Sequence, residues 1–171
     1  MQHDLKPATL NERQIVMDKI GRRCFLRGTG AMVLVGTTTV AKHASAAVSH
    51  RMTVYRSPTC GCCGAWINHV QTAGIKVDTV ELDDLTMIKT RYGINSDLQS
   101  CHTGIINGYV VEGHVPVQDV VRMLEESPDI AGIAVPGMPI GSPGMEMGNQ
   151  IEPYVVLSFG TSGVRLFSDY R

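Results

Sequence analysis

Three of the five cysteines in this chain lie within four residues, at Cys60, Cys62 and Cys63. Cys60 and Cys63 have the C-x-x-C spacing of thiol–disulfide exchange, in which one thiolate attacks and the other resolves the mixed disulfide. Cys62 adds a thiol that exchange does not need. Because thiolates are also the ligands that soft metal ions prefer, the segment indicates either redox exchange or metal binding.

The residues around these cysteines predict a strand before them and a helix after them. Residues 52–56 are typical of a short strand, and the helix ends at Gly74, a residue that tolerates a left-handed conformation. A helix N-terminus lowers a thiol pKa from about 8.5 towards 7 or below, because its dipole and free N–H groups favour thiolate. The apolar residues of the helix share one face and are core candidates: Trp66, Ile67, Val70 and Ala73.

A second group of candidate ligands surrounds a predicted β-hairpin. Asn107 and Gly108 join two apolar runs and are the pair favoured in a tight hairpin turn. Cys101 and His102 precede this hairpin, and His114 follows it. The order strand, C-G-x-C, helix resembles thioredoxin, and in such a fold Cys101 and His102 would face the cysteine loop.

The remaining pattern predicts elements in the order β-α-β-α-β-β-α. Residues 77–82 alternate as a strand, and Pro116 opens the third helix. A long segment, residues 128–153, then precedes two last strands at 154–159 and 164–167. We therefore predict a thioredoxin-like α/β domain with a Gly/Pro/Met-rich loop and a C-terminal strand pair.

The sequence around each methionine separates candidate metal ligands in the long loop from candidate core residues in helices and strands. Thioether sulfur needs no deprotonation to bind a soft ion, so methionines without core periodicity are candidate Cu(I) ligands, or else apolar filler of a loop that covers the domain. The candidates lie in the long loop: Met138, Met145 and Met147. Three others fall on helix or strand patterns and are predicted to pack in the core: Met52, Met87 and Met123.

The N-terminal part of the chain carries an export pattern. Residues 1–46 hold seven basic and three acidic residues, and include Arg22, Arg23 and a weakly apolar stretch at 28–41 before Ala-Ser-Ala at 44–46. This order is typical of a twin-arginine signal peptide, and the apolar stretch is shorter than the roughly 20 residues that span a bilayer. We predict cleavage before a periplasmic domain of residues 47–171, exported in folded form without stable membrane insertion.

Composition excludes several classes of protein. With 43% hydrophobic and 18% charged residues the chain is not of the disordered class, and its 171 residues suit one domain. The formal net charge is −1 and there is no long like-charge block, so nucleic acid is not expected as a partner.

Four segments together resemble the CopG-type periplasmic metal-binding proteins linked to copper resistance: residues 58–66 (PTCGCCGAW), 100–103 (SCHT), 112–116 (EGHVP) and 136–146 (PGMPIGSPGME). The resemblance spans nearly all of the predicted domain. It implies a thioredoxin-like fold and a copper site built from the four cysteines of the domain, with help from histidine or methionine. The implied cysteines are Cys60, Cys62, Cys63 and Cys101.

These observations lead to a main hypothesis and two alternatives. The main hypothesis is a periplasmic Cu(I)-binding protein of copper handling or resistance, with one or several ions and zinc as an alternative metal, that exchanges copper with periplasmic transfer proteins. The first alternative is an oxidoreductase in which Cys60 attacks and Cys63 resolves, so enzymatic activity stays open. The second is two structural disulfides, against which stand the strain of a Cys62–Cys63 bridge and the short loop that Cys60–Cys63 closes.

Overall fold

The computed structural model describes residues 50–171, so the predicted signal peptide lies outside the described residues. The strands are β1 (Arg51–Arg56), β2 (Lys76–Glu81), β3 (His102–Ile106), β4 (Tyr109–Glu112), β5 (Gly132–Ala134), β6 (Tyr154–Gly160) and β7 (Gly163–Tyr170). The helices are α1 (Gly61–Thr72), α2 (Thr86–Arg91) and α3 (Val117–Glu126), with a 3-10 turn at Ser96–Leu98. From residue 50 onward, no helix has the length and apolarity needed to cross a bilayer.

The strands form one seven-stranded mixed sheet in the order β2-β1-β3-β4-β5-β6-β7. β1 runs parallel to β2 and antiparallel to β3, and β3 and β4 form an antiparallel hairpin. The predicted mixed α/β class and the predicted order of helices and strands up to α3 are confirmed, as is the C-terminal strand pair.

β5 is a strand that the sequence did not predict. It has only three residues, all of them buried between β4 and β6. A Cβ at Gly132 would lie 2.2 Å from the carbonyl oxygen of Val110, so the strands approach closely only because this residue is glycine. So short a strand, beginning with glycine in a Pro/Gly-rich segment, carries no alternation by which to recognise it.

Helix α1 packs the predicted apolar face against the sheet. Trp66, Ile67 and Val70 are buried, and the Trp66 indole Nε1 donates to the carbonyl oxygen of Val115 at 2.8 Å. The prediction that Ala73 shares this face is wrong, because the helix has ended there and Ala73 is exposed. The indole hydrogen bond ties α1 to the segment that follows the hairpin.

The hairpin turn forms as predicted and decides where the second group of ligands lies. Asn107 and Gly108 both have positive φ, 49° and 86°. The sheet register pairs Arg56 with His102 and Thr103 with Glu112. Consequently the end of β1, the start of β3 and the end of β4 meet at one edge of the domain, beside the N-terminus of α1.

The predictions for the core methionines are partly confirmed. Met52 and Met123 are fully buried. Met87 is 82% exposed, so its predicted place in the core is wrong. Helix α2 has only six residues, and Lys89 and the half-buried Ile88 face the domain, whereas Met87 lies on the side exposed to solvent.

Candidate metal centre

Four cysteine sulfurs meet where α1 begins. Cys60 is the N-cap of α1 and Cys62 and Cys63 lie in its first turn, whereas Cys101 immediately precedes β3. The Sγ atom of Cys62 lies 3.5 Å from that of Cys60 and 3.9 Å from that of Cys101, and the Sγ atoms of Cys63 and Cys101 are 3.6 Å apart. The predicted convergence of Cys101 with the cysteine loop therefore occurs.

Two of these cysteines form a disulfide and two are free. Cys60 and Cys63 are joined, with their Cα atoms 5.4 Å apart, and Cys62 and Cys101 carry free thiols. Within residues 50–171 there is thus one disulfide, rather than the two of the purely structural alternative. Reduction of Cys60–Cys63 would free all four sulfurs to act as ligands, since a metal ligand must be a thiolate.

Cys101 also belongs to a second donor group, with two histidines. Its Sγ lies 3.3 Å from His102 Nδ1 and 3.1 Å from His114 Nε2. The imidazole rings of His102 and His114 meet edge to face, with centroids 5.0 Å apart. The three donor atoms lie within 4.8 Å of one another, as do the four sulfurs, so two donor groups share Cys101.

The orientation of His114 leaves one ring nitrogen free to act as a donor to a metal. Its Nδ1 lies 2.9 Å from the carbonyl oxygen of Pro143. A carbonyl only accepts, so Nδ1 carries the proton of the neutral ring and Nε2 directs its lone pair at Cys101. Burial lowers the pKa of His114 despite the raising effect of the Pro143 carbonyl, which favours this neutral form. A hydrogen bond of this kind orients metal-binding histidines in general.

His102 is fully buried and neutral. Burial, followed by the charges of His114 and Lys89, lowers its pKa to about 3. Its ring lies 4.4 Å from that of Trp66, and its Nε2 atom has no hydrogen-bond partner within residues 50–171. The His102 imidazole is therefore unprotonated at neutral pH, and this neutral form is the one that binds a metal ion.

Cys101 keeps its proton in the metal-free protein. Burial, and then the neighbouring Cys62, raises the pKa of Cys101 to about 12. The Cys101 thiol proton therefore lies beside the two imidazole nitrogens that face this sulfur. A cation that displaces this proton would bind to donors already in place, and its binding would release the proton.

The spacing of the donors fits a small soft ion. Metal–sulfur bonds of about 2.3 Å in tetrahedral geometry place sulfurs about 3.8 Å apart. The separations of Cys62 and Cys63 from Cys101 are 3.9 and 3.6 Å. Thiolate and neutral imidazole are ligands of Cu(I) and Zn(II) and not of hard cations, so the donor set can hold either of these metals.

A loop from the Gly/Pro/Met-rich segment, residues 135–153 between β5 and β6, lies over this centre and is called the covering loop. A Cβ at Gly144 would lie 2.6 Å from the backbone nitrogen of Trp66 and 2.9 Å from the carbonyl oxygen of Cys62, so glycine with its φ of +84° permits the close approach. Glu146 Oε1 pairs with His69 Nε2 at 2.8 Å, and this pair ties the loop to α1. The chain next to Met145 is thereby held against the cysteine site.

The three loop methionines are not equivalent. Met145 is half-buried, whereas Met138 and Met147 are 51% and 56% exposed. The four cysteines and two histidines form the two donor groups described above, whereas the three methionines belong to the covering loop. A ligand role for any of the three stays a prediction.

The sequence did not identify a buried charged network behind Cys101. Glu112 is fully buried and pairs with Lys89, which is 7% exposed. Its carboxylate also accepts from the backbone N–H of Ser100 at 2.7 Å and from the Thr103 hydroxyl at 2.6 Å. Burial raises the pKa of Glu112, and the Lys89 ammonium and these donors oppose that effect. The only sequence signal was an acidic residue ending an otherwise apolar strand.

Arg56 supports the cysteine loop from the other side. Its guanidinium donates to the carbonyl oxygen of Cys60 at 2.9 Å and pairs with Glu81 at 2.8 Å. The end of β1 therefore holds the backbone at the first cysteine and links it to the edge strand β2. Together these contacts define a mixed α/β domain with a cysteine–histidine centre that can bind a metal ion.

Comparison with known proteins identifies the family. Residues 98–145 match the family described as "Protein of unknown function, DUF411". The solved structure of "Copper resistance protein copG- Form 2" is 42% identical over 72% of this chain and 99% of that chain, with a TM-score of 0.69. The structure of "Copper resistance protein copG- Form 1" is 44% identical over 70% of this chain and 96% of that chain, with a TM-score of 0.67.

Among curated proteins, none matches this chain. The two structural matches cover almost the whole of both related chains at more than 40% identity. The chain therefore belongs to the CopG family of copper resistance proteins, as the four sequence segments indicated.

Proposed function

We propose that this protein binds Cu(I) in the periplasm and contributes to copper handling or resistance. The observation that carries the proposal is the convergence of four cysteine sulfurs, with Cys101 also facing two neutral imidazoles. Names of the related structures, "Copper resistance protein", support copper as the cargo. Copper is here the ion that the protein binds and passes on to other periplasmic proteins.

The donor types support the cuprous state. Thiolate and thioether sulfur are soft ligands that prefer Cu(I), whereas Zn(II) is the competing ion for a mixed sulfur–imidazole site. In this proposal the ligands come from the two donor groups and the covering loop. The proposed ligands are Cys60, Cys62, Cys63, Cys101, His102, His114, Met138, Met145 and Met147.

Export in folded form belongs to the same proposal. Residues 1–46 would direct the chain to the twin-arginine pathway, so the four thiols of residues 47–171 could be assembled while reduced. The sheet order β2-β1-β3-β4, with the cysteines between β1 and α1, supports a thioredoxin-like arrangement of this part of the domain.

The experiment is a metal and thiol count on mature protein purified anaerobically from copper-supplemented cells. Elemental analysis is expected to find at least one copper per chain, with the four thiols unreactive until a Cu(I) chelator is added. Cys62→Ser should sharply lower the affinity or the stoichiometry, because it removes a sulfur that lies between Cys60 and Cys101.

Gln71→Ser is the matched control, since Gln71 is an exposed residue of the same helix and lies outside both donor groups. It should bind copper like the wild type. Copper binding that is unchanged in Cys62→Ser would contradict the proposal. So would a protein that contains no copper and has oxidised thiols.

A second candidate function is thiol–disulfide or copper-linked oxidoreductase activity. The Cys60–Cys63 disulfide supports it, because it joins the two cysteines with the spacing of an exchange pair and has two free thiols beside it. In this candidate, Cys60 attacks the substrate disulfide and Cys63 resolves the mixed disulfide. Metal-free reduced protein should then reduce disulfide substrates while Cys60 and Cys63 become a disulfide, with repeated turnover when a dithiol reductant is supplied, and Cys63→Ser should trap a mixed disulfide. Absence of turnover would exclude metal-independent exchange.

A further inference from the structure

The buried Glu112–Lys89 pair is the one charged pair with both side chains buried among the described residues, and neither member belongs to a donor group. It joins the end of β4 to α2. A buried ion pair can often be replaced by apolar residues of similar size without loss of stability, so the fold alone does not account for it.

The contacts of Glu112 show what the pair holds. One oxygen, Oε1, accepts both from Lys89 and from the backbone N–H of Ser100, at 2.7 Å for the latter. The other, Oε2, accepts from the Thr103 hydroxyl at 2.6 Å. Ser100 and Thr103 lie on either side of Cys101 and His102, so one carboxylate holds the chain on both sides of two proposed ligands.

The other contacts of the segment before Cys101 are to turns and loops, since Gln99 accepts from the backbone N–H of Gly137 at 3.1 Å and its side chain donates to the carbonyl oxygen of Ile94 at 3.0 Å. The residues of this segment follow the 3-10 turn and precede β3, outside the ladder of sheet hydrogen bonds. The Ser100 hydroxyl reaches the carbonyl oxygen of Gly137, which belongs to the covering loop. The Glu112 carboxylate is therefore the contact that fixes the Ser100 backbone to the sheet itself.

We propose that Glu112 is a positioning residue for the metal centre, and that it sets the place of the Cys101 sulfur by binding the backbone N–H of Ser100. Lys89 balances the charge of Glu112 so that the carboxylate can remain in the interior. The inference rests on the proposed function, because the exact position of the Cys101 sulfur matters when this sulfur binds a metal ion.

The position matters because Cys101 is shared. Its sulfur lies 3.1 to 3.9 Å from four other donor atoms, on Cys62, Cys63, His102 and His114. Ligand constellations work when they are held to within about 0.5 Å of the required geometry. Release of the Ser100 backbone would move Cys101 relative to both donor groups at once.

Two double variants test the role of the acceptor. Lys89→Met/Glu112→Gln removes both charges and keeps a carbonyl oxygen that can accept from Ser100. Lys89→Met/Glu112→Leu has the same charge and a similar volume but no acceptor. The readouts are Cu(I) affinity by chelator competition and, in reduced metal-free protein, the alkylation rate of Cys101 relative to Cys62 measured by peptide mass spectrometry.

The Gln variant should resemble the wild type in both readouts. The Leu variant should bind Cu(I) about tenfold or more weakly, the range found when an outer partner of a metal ligand is lost, and its Cys101 should react faster relative to Cys62. A purely structural pair would leave the folded Leu variant like the Gln variant. Equal affinities and equal alkylation ratios would overturn the proposal.

Amide exchange of Ser100 keeps the test decisive if the Leu variant does not fold. Protection is expected in the wild type and in the Gln variant, and rapid exchange in folded wild-type protein would also overturn the proposal. If wild-type protein binds no Cu(I), the proposed function fails, whereas the alkylation ratio and the amide exchange still report on Glu112.

Discussion

Two clusters of polar side chains differ in whether their atoms are satisfied by hydrogen bonds within the chain. One surrounds Asp119 in the first turn of α3, and the other surrounds Cys101 before β3. Both oxygens of the buried Asp119 carboxylate are satisfied from within the chain. Oδ2 accepts from the Tyr170 hydroxyl at 2.7 Å, and Oδ1 accepts from Ser168 and, at 3.3 Å, from Arg122. This cluster joins α3 to β7.

The nitrogen and sulfur atoms around Cys101 instead include more hydrogen-bond acceptors than donors. The lone pair of His114 Nε2 faces the same sulfur as His102 Nδ1, and burial keeps both rings neutral. Three further sulfurs lie beside Cys101, two of them within 4 Å of it. Buried polar groups that satisfy one another hold a fold together, whereas converging lone pairs leave room for a ligand from outside.

Cys101→Ser should produce the largest effect, because it removes the atom that both donor groups share. The Cu(I) affinity is expected to fall by more than about a hundredfold, beyond the loss typical of outer partners, while the midpoint of unfolding of the metal-free protein changes little. Chelator competition and chemical unfolding measure the two quantities. A large loss of stability with unchanged affinity would reverse the roles assigned to the two clusters.

Asp119→Ala should have the opposite pattern. It leaves the Tyr170 and Ser168 hydroxyls and Arg122 without their shared acceptor, at a cost of about 2–3 kcal/mol in the free energy of unfolding. Copper affinity of the folded protein should stay the same, since Asp119 lies outside both donor groups. Urea unfolding and copper titration of this one variant test the comparison, and a weakened copper site would show that the clusters are coupled.

A smaller effect is expected from pH in the metal-free protein. The pKa of His102 is about 3 in the folded state, below its ordinary value of 6.5, so protons bind the unfolded chain first. Its contribution to stability is therefore fully present above about pH 6.5 and is lost as the pH falls towards about 3.

Urea unfolding over this pH range should show that the free energy of unfolding depends less steeply on pH in His102→Gln than in the wild type. Val120→Ala is the matched comparison, because it should lower the stability of the core without removing a titrating group, and it should keep the wild-type pH dependence. An identical slope in wild type and His102→Gln would contradict the buried neutral state of this histidine.

Some features could be predicted because they are local. The Asn107–Gly108 turn needs only two residues with positive φ, and the face of α1 needs only helical spacing. Met87 and Ala73 were misplaced because spacing alone does not show where a helix ends or which side of a short helix meets the domain. β5 was missed because three residues are too few to form a pattern.

The Glu112–Lys89 network could not be predicted for a different reason. A glutamate at the end of a strand and a lysine in a helix are usually solvent-exposed residues, and the apolar strand before Glu112 does not show that its carboxylate is buried against Lys89. They meet only because α2 packs behind the end of the hairpin, although the two positions are 23 apart in the sequence.

The sequence by itself determined the types of donor available, the order of most elements and the resemblance to the copper resistance proteins, because these depend on residue identity and short spacing. Only the tertiary structure decided that Cys101 is shared by two donor groups, that the Pro143 carbonyl orients His114, and that burial keeps both histidines neutral. Those properties depend on sheet register and on loss of solvent around each group, and both arise only when segments far apart in the chain pack together.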